Sequence, residues 1–213
     1  TIAFSHLVGP PVAAHPRSDT ARDLAPIRQT TQASLMLAVN ADSPLRTIAE
    51  LVAAAKAQPG HLTFASSGNA TPPHLFAEVF RARTSTDIRH IPFKGGVAAT
   101  TALLGTQVDV LSTSGVAVIA QIRAGKVRAL ATASPERMPA LPEVPTLSEL
   151  GYTGFDVRDW QGLVVPAKTP KAIIDRLNAE IARALEQPDV KDRFATLGVE
   201  AVALSLGVNV FDI

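Results

Sequence analysis

An α/β fold with a largely parallel sheet and helices on its faces is the class predicted, and three observations lead to it. A strand pattern gives way to a helix pattern three times in succession between His61 and Gly125. At each changeover stands a loop of small residues: Ser66-Ser67-Gly68-Asn69, Lys94-Gly95-Gly96 and Ser112-Thr113-Ser114-Gly115. Consecutive units of this kind build α/β sheets. The chain, 213 residues with 46% hydrophobic and 18% charged, can bury a full core as one large domain or two small lobes.

In chain order, Thr1 to Val8 reads as a strand and Pro10 to Ile27 as an irregular, proline-rich connection with at most a short helical turn. Ser34 to Val39 is the next buried strand. Thr47 and Glu50 form a T-x-x-E capping box for a helix with Ile48, Leu51, Val52 and Ala55 inward, ended by Pro59-Gly60. Leu62 and Phe64 suit a short buried strand. Beyond its loop, Thr71 is the expected N-cap and Pro72 the first helical residue, with Leu75, Phe76, Val79 and Phe80 on one face. Ile88 to Phe93 is a strand, followed by a glycine turn and a helix over Val97 to Leu104. Gln107 to Leu111 is a strand leading through its Ser/Thr loop into a helix containing Val116, Ile119 and Ile122.

Lys126 to Ala133 adds a further strand, and Thr146 with Glu149 predicts a short capped helix in a proline-rich stretch. Phe155 to Val165 reads as an extended crossing segment that carries the single tryptophan, Trp160. Thr169-Pro170 then opens a long helix with Ile173, Ile174, Leu177, Ile181 and Leu185 on one stripe. Gln187-Pro188 breaks it, and Asp189 to Leu197 supplies another turn or two.

Composition removes several classes of function. The 20 basic and 19 acidic residues nearly cancel, without a Lys/Arg block, and aromatics are 5%, so no nucleic-acid footprint is present. Without cysteine there is no disulfide and no thiolate chemistry. No apolar run reaches the roughly 20 residues of a membrane helix. The chain begins at Thr1 with no starting Met and no signal segment, so a processed form or a fragment is expected. No G-x-S-x-G elbow, H-E-x-x-H pair, P-loop or G-x-G-x-x-G occurs. His74, in a first helical turn, and His90, in a strand, are expected to be satisfied structural imidazoles. Asp109 reads as a buried carboxylate in an apolar strand, either touching a ligand or holding a neighbouring loop.

The loops remain. In α/β sheets ligands bind at the carboxyl ends of strands, where helices begin with unpaired N–H groups and a positive dipole end. Three such loops sharing one cleft would make an anion cradle, to which Lys94 adds a positive charge; the plain alternative is that they are only connections.

The ordered segments LTFASSGNATPPHL, DIRHIPFKGG, LLGTQVDV, IRAGKVRALATAS, LPEVPTLSELG and DWQGLVVPAKTP resemble the Bug-type (TctC-like) extracytoplasmic solute receptors of tripartite tricarboxylate transporters. The resemblance covers about Thr1 to Gly198. It implies a two-lobed, type II periplasmic-binding-protein-like fold, with lobe 1 drawn from 1–39 and 161–213 and lobe 2 from 40–160. It implies a periplasmic monomer that binds a small carboxylated solute for the transporter's membrane subunits, without catalysis, cofactor or metal.

By motif, the resemblance assigns ligand contacts to Ser66, Ser67, Gly68 and Thr71, which precede the His74-Leu75 dipeptide, and to Phe93, Lys94, Gly95 and Gly96, where Phe93 replaces the usual tyrosine. It adds Asp109 of the Q-V-D strand, Ser5, His6 and Trp160, and the cradle reading of the loops adds Asn69 and Ser114. The family's P-x-x-x-G-G-x-x-D loop has no counterpart here and the tail AVALSLGVNVFDI departs from the usual closing helix, so an incomplete first lobe is expected. Two other functions stay open: a ligand sensor for a signalling partner, and a hydrolase using Ser66.

Overall fold

Leu35, Met36, Leu37, Ala38 and Val39 form a continuous apolar run, and every one is buried, because the strand that carries them is covered on both faces. Leu35, Leu37 and Val39 enter one core cluster with Ile48, Leu51, Phe64, Phe76 and Phe80. Met36 and Ala38 enter a second, with Ala65, Leu103, Leu111 and Val118. The two-residue period of a strand thus sorts one run between two cores.

This is a computed structural model, and it describes residues 2–3, 20–155 and 157–202. Ser5, His6, the expected strand beyond Ala3 and the tail 203–213 lie outside the described residues. The strands are β1 (Ile2–Ala3), β2 (Leu24–Asn40), β3 (Thr63–Ser66), β4 (Arg89–Pro92), β5 (Val110–Ser114), β6 (Val127–Thr132), β7 (Arg158–Pro166) and β8 (Glu200–Ala201). The helices are α1 (Thr20–Asp23), α2 (Ile48–Ala57), α3 (Pro72–Thr84), α4 (Gly96–Leu104), α5 (Gly115–Arg123), α6 (Lys171–Glu186) and α7 (Pro188–Thr196).

The chain packs as two compact units. Ser34–Arg158 forms one, and the residues up to Ala33 together with those from Asp159 form the other. In the first, β3 pairs in parallel with both β4 and β5, while the end of β2 runs antiparallel to β5 and to β6. The sheet is therefore mixed where a largely parallel one is expected. A parallel neighbour needs a crossover connection, and no helix leads into β2 from within this unit. One result matters for function: β3, β4 and β5 end at the same edge of the sheet, and β2 ends at the opposite one.

In the other unit β1 pairs with β7 through Ile2↔Gly162, and β2 pairs with β8 through Thr31↔Ala201. Arg28 Nε donates to Asn178 Oδ1 at 2.8 Å, joining β2 to α6. No helix among the described residues is long and apolar enough to cross a membrane.

Three expectations need correction. β2 starts at Leu24, not Ser34, because Arg28 to Gln32 are polar residues on a half-buried strand and hide its pattern. β5 is Val110–Ser114, so Ser112 and Thr113 are buried strand residues instead of a loop. Thr146 and Glu149 do exchange the two bonds of a capping box, but the segment they close is a turn, not an α-helix.

Candidate functional site

The connections after β3, β4 and β5 touch one another. Phe93 N donates to Ser66 O at 3.0 Å and Gly95 N to Ser67 O at 3.2 Å, which fastens the second loop to the first. Thr100 Oγ1 donates to Ala117 O at 3.4 Å, and a Cβ added to Gly96 would lie 2.9 Å from Ala117 Cβ, so α4 and α5 start side by side. Ser112 Oγ donates to Pro73 O at 2.6 Å and ties β5 to the first turn of α3. Ser67, Gly95 and Ser114 therefore share one edge of the sheet.

Backbone geometry explains the glycines. Gly68 has φ of 139° and Gly95 has φ of 105°, both in the region that L side chains avoid. Nothing lies within 4 Å of the position a Cβ would take at Gly95, so that turn is open as well as tight.

The helix starts differ in kind. At α2 the Thr47 side chain accepts from Glu50 N at 3.1 Å and Glu50 Oε2 accepts from Thr47 N at 3.1 Å, a capping box that satisfies two donors at that end. At α3, α4 and α5 the N-caps are Thr71, Gly95 and Ser114, and none makes a side-chain cap bond. The first N–H groups of a helix have no acceptor inside it, but Pro72 and Pro73 carry none, so the first N–H of α3 is that of His74, while α4 and α5 begin with residues that each have one. Three uncapped, positively polarised helix ends thus meet at one edge, while the closed helix start follows a strand that ends at the other.

The hydroxyls of the first loop bond among themselves. Ser67 Oγ donates to Thr71 Oγ1 at 3.2 Å, and Thr71 Oγ1 donates to Gly68 O at 2.8 Å. Ser66 is fully buried: its Oγ donates to Gly68 O, accepts from Gly68 N and lies 2.7 Å from His90 Nε2. Ser66 therefore braces the loop from beneath and is removed from the expected ligand contacts.

Asp109 is corrected too. It is exposed and precedes β5, and its Oδ2 accepts from Thr63 N and Thr63 Oγ1, each at 2.8 Å. Thr63 opens β3, at the end of that strand away from the loops, so the carboxylate pins a strand start. β5 begins at Val110, not at Gln107, so Asp109 lies before the strand and not within it.

Of the remaining expected residues, Asn69 and Lys94 are exposed and Ser67, Gly68, Thr71, Gly95, Gly96 and Ser114 are partly buried at the shared edge. Phe93 is partly buried and packs on the second core cluster. Trp160 lies partly buried on β7, in the other unit.

Two residues have a closer part in the site than the sequence suggested. The His74 and His90 rings stack at 4.0 Å, and His90 stacks on Phe64 at 4.7 Å. His74 Nδ1 accepts from Ala70 N at 3.1 Å. Burial, then the neighbouring His74, lowers the His90 pKa from 6.5 to about 4, with Glu78 opposing and Arg81 adding to the shift. No group of three or more His, Asp or Glu residues that could hold a metal ion occurs among the described residues.

The sequence also matches, over residues 7–207, the family described as the tripartite tricarboxylate transporter family receptor, TctC. The chain belongs to that family. It is 39% identical over 180 residues to a UPF0065 protein from the tcbD-tcbE intergenic region of Pseudomonas sp. strain P51, covering 84% of this chain and 54% of that protein. The chain thus spans about half the length of this relative. Among solved structures, the periplasmic binding protein BugD superposes with a TM-score of 0.87 at 29% identity, covering 96% of this chain and 69% of that one. MatC from Rhodopseudomonas palustris with bound malate gives a TM-score of 0.81 at 30% identity, covering 93% and 66%. Family and fold are those of solute-binding receptors.

Proposed function

We propose that this receptor-family chain binds a small carboxylate in the periplasm, a di- or tricarboxylate, an acidic amino acid or an aromatic acid, and delivers it to the membrane subunits of a tripartite tricarboxylate-type transporter. The observation that carries this reading is the meeting of three uncapped helix starts at one sheet edge. The dipoles of all three and the free N–H groups at the starts of α4 and α5 favour an anion, and a carboxylate with two acceptor oxygens can engage more than one such donor; α3, opening on Pro72-Pro73, adds its first N–H only at His74. Ser67, Gly68, Asn69, Thr71, Lys94, Gly95, Gly96 and Ser114 are the residues proposed to surround it.

The bound malate of MatC supports the same ligand class, since a dicarboxylate offers one end to such a cradle. Burial of Ser66 weighs against the hydrolase alternative, because a nucleophile must reach its substrate.

Isothermal titration with malate, adipate, citrate, glutamate and benzoate tests the proposal. Saturable heat for at least one is expected, with affinity reduced at least tenfold by Gly95→Ala, which strains the positive-φ turn. Absence of heat for all of them overturns it.

A further inference from the structure

The first ligand loop is held by aromatic nitrogen, and that arrangement has a chemical consequence. Phe64 and His90 are direct partners in the β3–β4 register. His74, from the first turn of α3, covers His90 at 4.0 Å to complete a ladder of three rings. Each imidazole takes hold of a different point of the loop. His90 Nε2 lies 2.7 Å from Ser66 Oγ, which itself accepts from Gly68 N, and His74 Nδ1 accepts from Ala70 N. A backbone N–H can only donate, so His74 Nδ1 carries no proton in this arrangement. Ala70 has φ of 58°, an uncommon conformation for alanine that an outside bond must help to hold.

We infer that the His74–His90 stack is the positioning element of the ligand loop, holding residues 66–71 in their cradle shape only while both rings are neutral. This rests on the receptor reading above for its functional meaning. A proton on His74 Nδ1 removes the acceptor for Ala70 N–H, and a second charge on His90 would stand 4.0 Å from the first. The other charged groups facing the pair are on α3 and beside it. Glu78 Oε1 lies 3.6 Å from His74 Nε2, and Arg81 pairs with Glu78 at 2.9 Å and with Asp87 at 3.3 Å. Glu78 favours protonation of His90 while Arg81 opposes it. The loop therefore loosens as pH falls, and ligand affinity falls with it.

Amide exchange followed by NMR from pH 7.5 to 4.5, corrected for the intrinsic pH dependence, tests this on the chain without ligand. Protection of Ala70 is expected to fall about tenfold across that range, the worth of one backbone hydrogen bond. In His74→Phe, which keeps a ring and loses the acceptor, protection is low throughout. In His74→Asn, whose Oδ1 accepts without titrating, protection is retained and the pH dependence flattens. Equal Ala70 protection in wild type and His74→Phe overturns the inference, as does an unchanged pH profile in His74→Asn, which decides the matter if His74→Phe fails to fold. Malate and adipate titrations run in parallel. Binding weakened about tenfold by His74→Phe and restored by His74→Asn supports the link to ligand, again at the scale of one hydrogen bond. Wild-type protein that binds none of malate, adipate, citrate, glutamate and benzoate, with the amide results intact, defeats the receptor reading and leaves the loop mechanism standing.

Discussion

Among the described residues, the two compact units differ most in how many apolar side chains each buries. Ser34–Arg158 contains both core clusters, with Phe64, Phe76, Phe80, Leu103 and Leu111 almost wholly buried. In the other unit the buried apolar residues among those described are Ile27, Ala33, Leu185 and Val202. Its long helix α6 leaves Ile173 50% and Leu177 37% exposed, although the stripe they belong to reads from sequence as an inward face. The loops that build the candidate site therefore stand on the unit whose core is complete within itself. Fixed N–H groups need a rigid base, since a donor that must be reordered on binding loses part of its worth.

The largest effect that would break this contrast is at Phe76, fully buried and edge-on to Phe155 at 6.1 Å. Phe76→Ala is expected to cost about 3–5 kcal/mol in urea unfolding. A cost near that of a surface change would mean that Ser34–Arg158 is not the stable unit. Next comes Gly96→Val, whose side chain has nowhere to go beside Ala117. A loss of about 1–3 kcal/mol is expected from overpacking, with malate binding reduced further as α4 and α5 separate. Normal stability with normal binding would show that the helix starts need not be so close.

Titration gives the two units opposite signs. The His90 pKa is about 4 when folded and 6.5 when unfolded, so the unfolded chain binds more protons between those values. Its contribution to stability is complete above pH 6.5 and declines as pH falls toward 4. Burial raises the Asp159 carboxyl, in the other unit, above 3.8. There the folded form binds more protons, and stability is lost as pH rises through the folded value. Thermal melts of His90→Phe and Asp159→Asn against pH should separate the two. A His90→Phe melt that retains the wild-type decline between pH 6.5 and 4 would remove His90 as its source.

Smaller effects sharpen the picture. Thr47→Ala opens the capping box of α2 and should cost about 1 kcal/mol without altering ligand affinity, since that helix start is at the far edge. A change in affinity would contradict the placement of the site at one edge only. Ile173→Ala, at an exposed position, should stay within about 0.5 kcal/mol in the same unfolding assay.

Legibility followed the locality of the signal. The Thr47–Glu50 box is contained in four residues, and the bonds that close it are those the T-x-x-E spacing predicts. Pro72 at the start of α3 and Pro188 at the start of α7, after the break at Gln187, are equally local, because proline dictates its own backbone. Ser112 and Thr113 look like loop residues in the sequence because small hydroxyl residues suit a turn and a buried strand alike. Their pairing opposite Leu37 and Met36 decides between the two, and a linear sequence contains no record of it. The same limitation hid the extent of β2, whose partners β7 and β8 come from the far end of the chain.

The sequence by itself determined the strand-to-helix alternation, the glycines its turns require and the membership of a receptor family, since each depends on residues near one another in the chain or on their order. Tertiary structure alone decided which hydroxyls face the loops and which brace them, that Asp109 fastens a strand start, and that two histidines sixteen residues apart share a stack. These depend on strand register and helix packing. Neither exists until distant segments meet, and a shift of one residue in register turns a side chain to the other face.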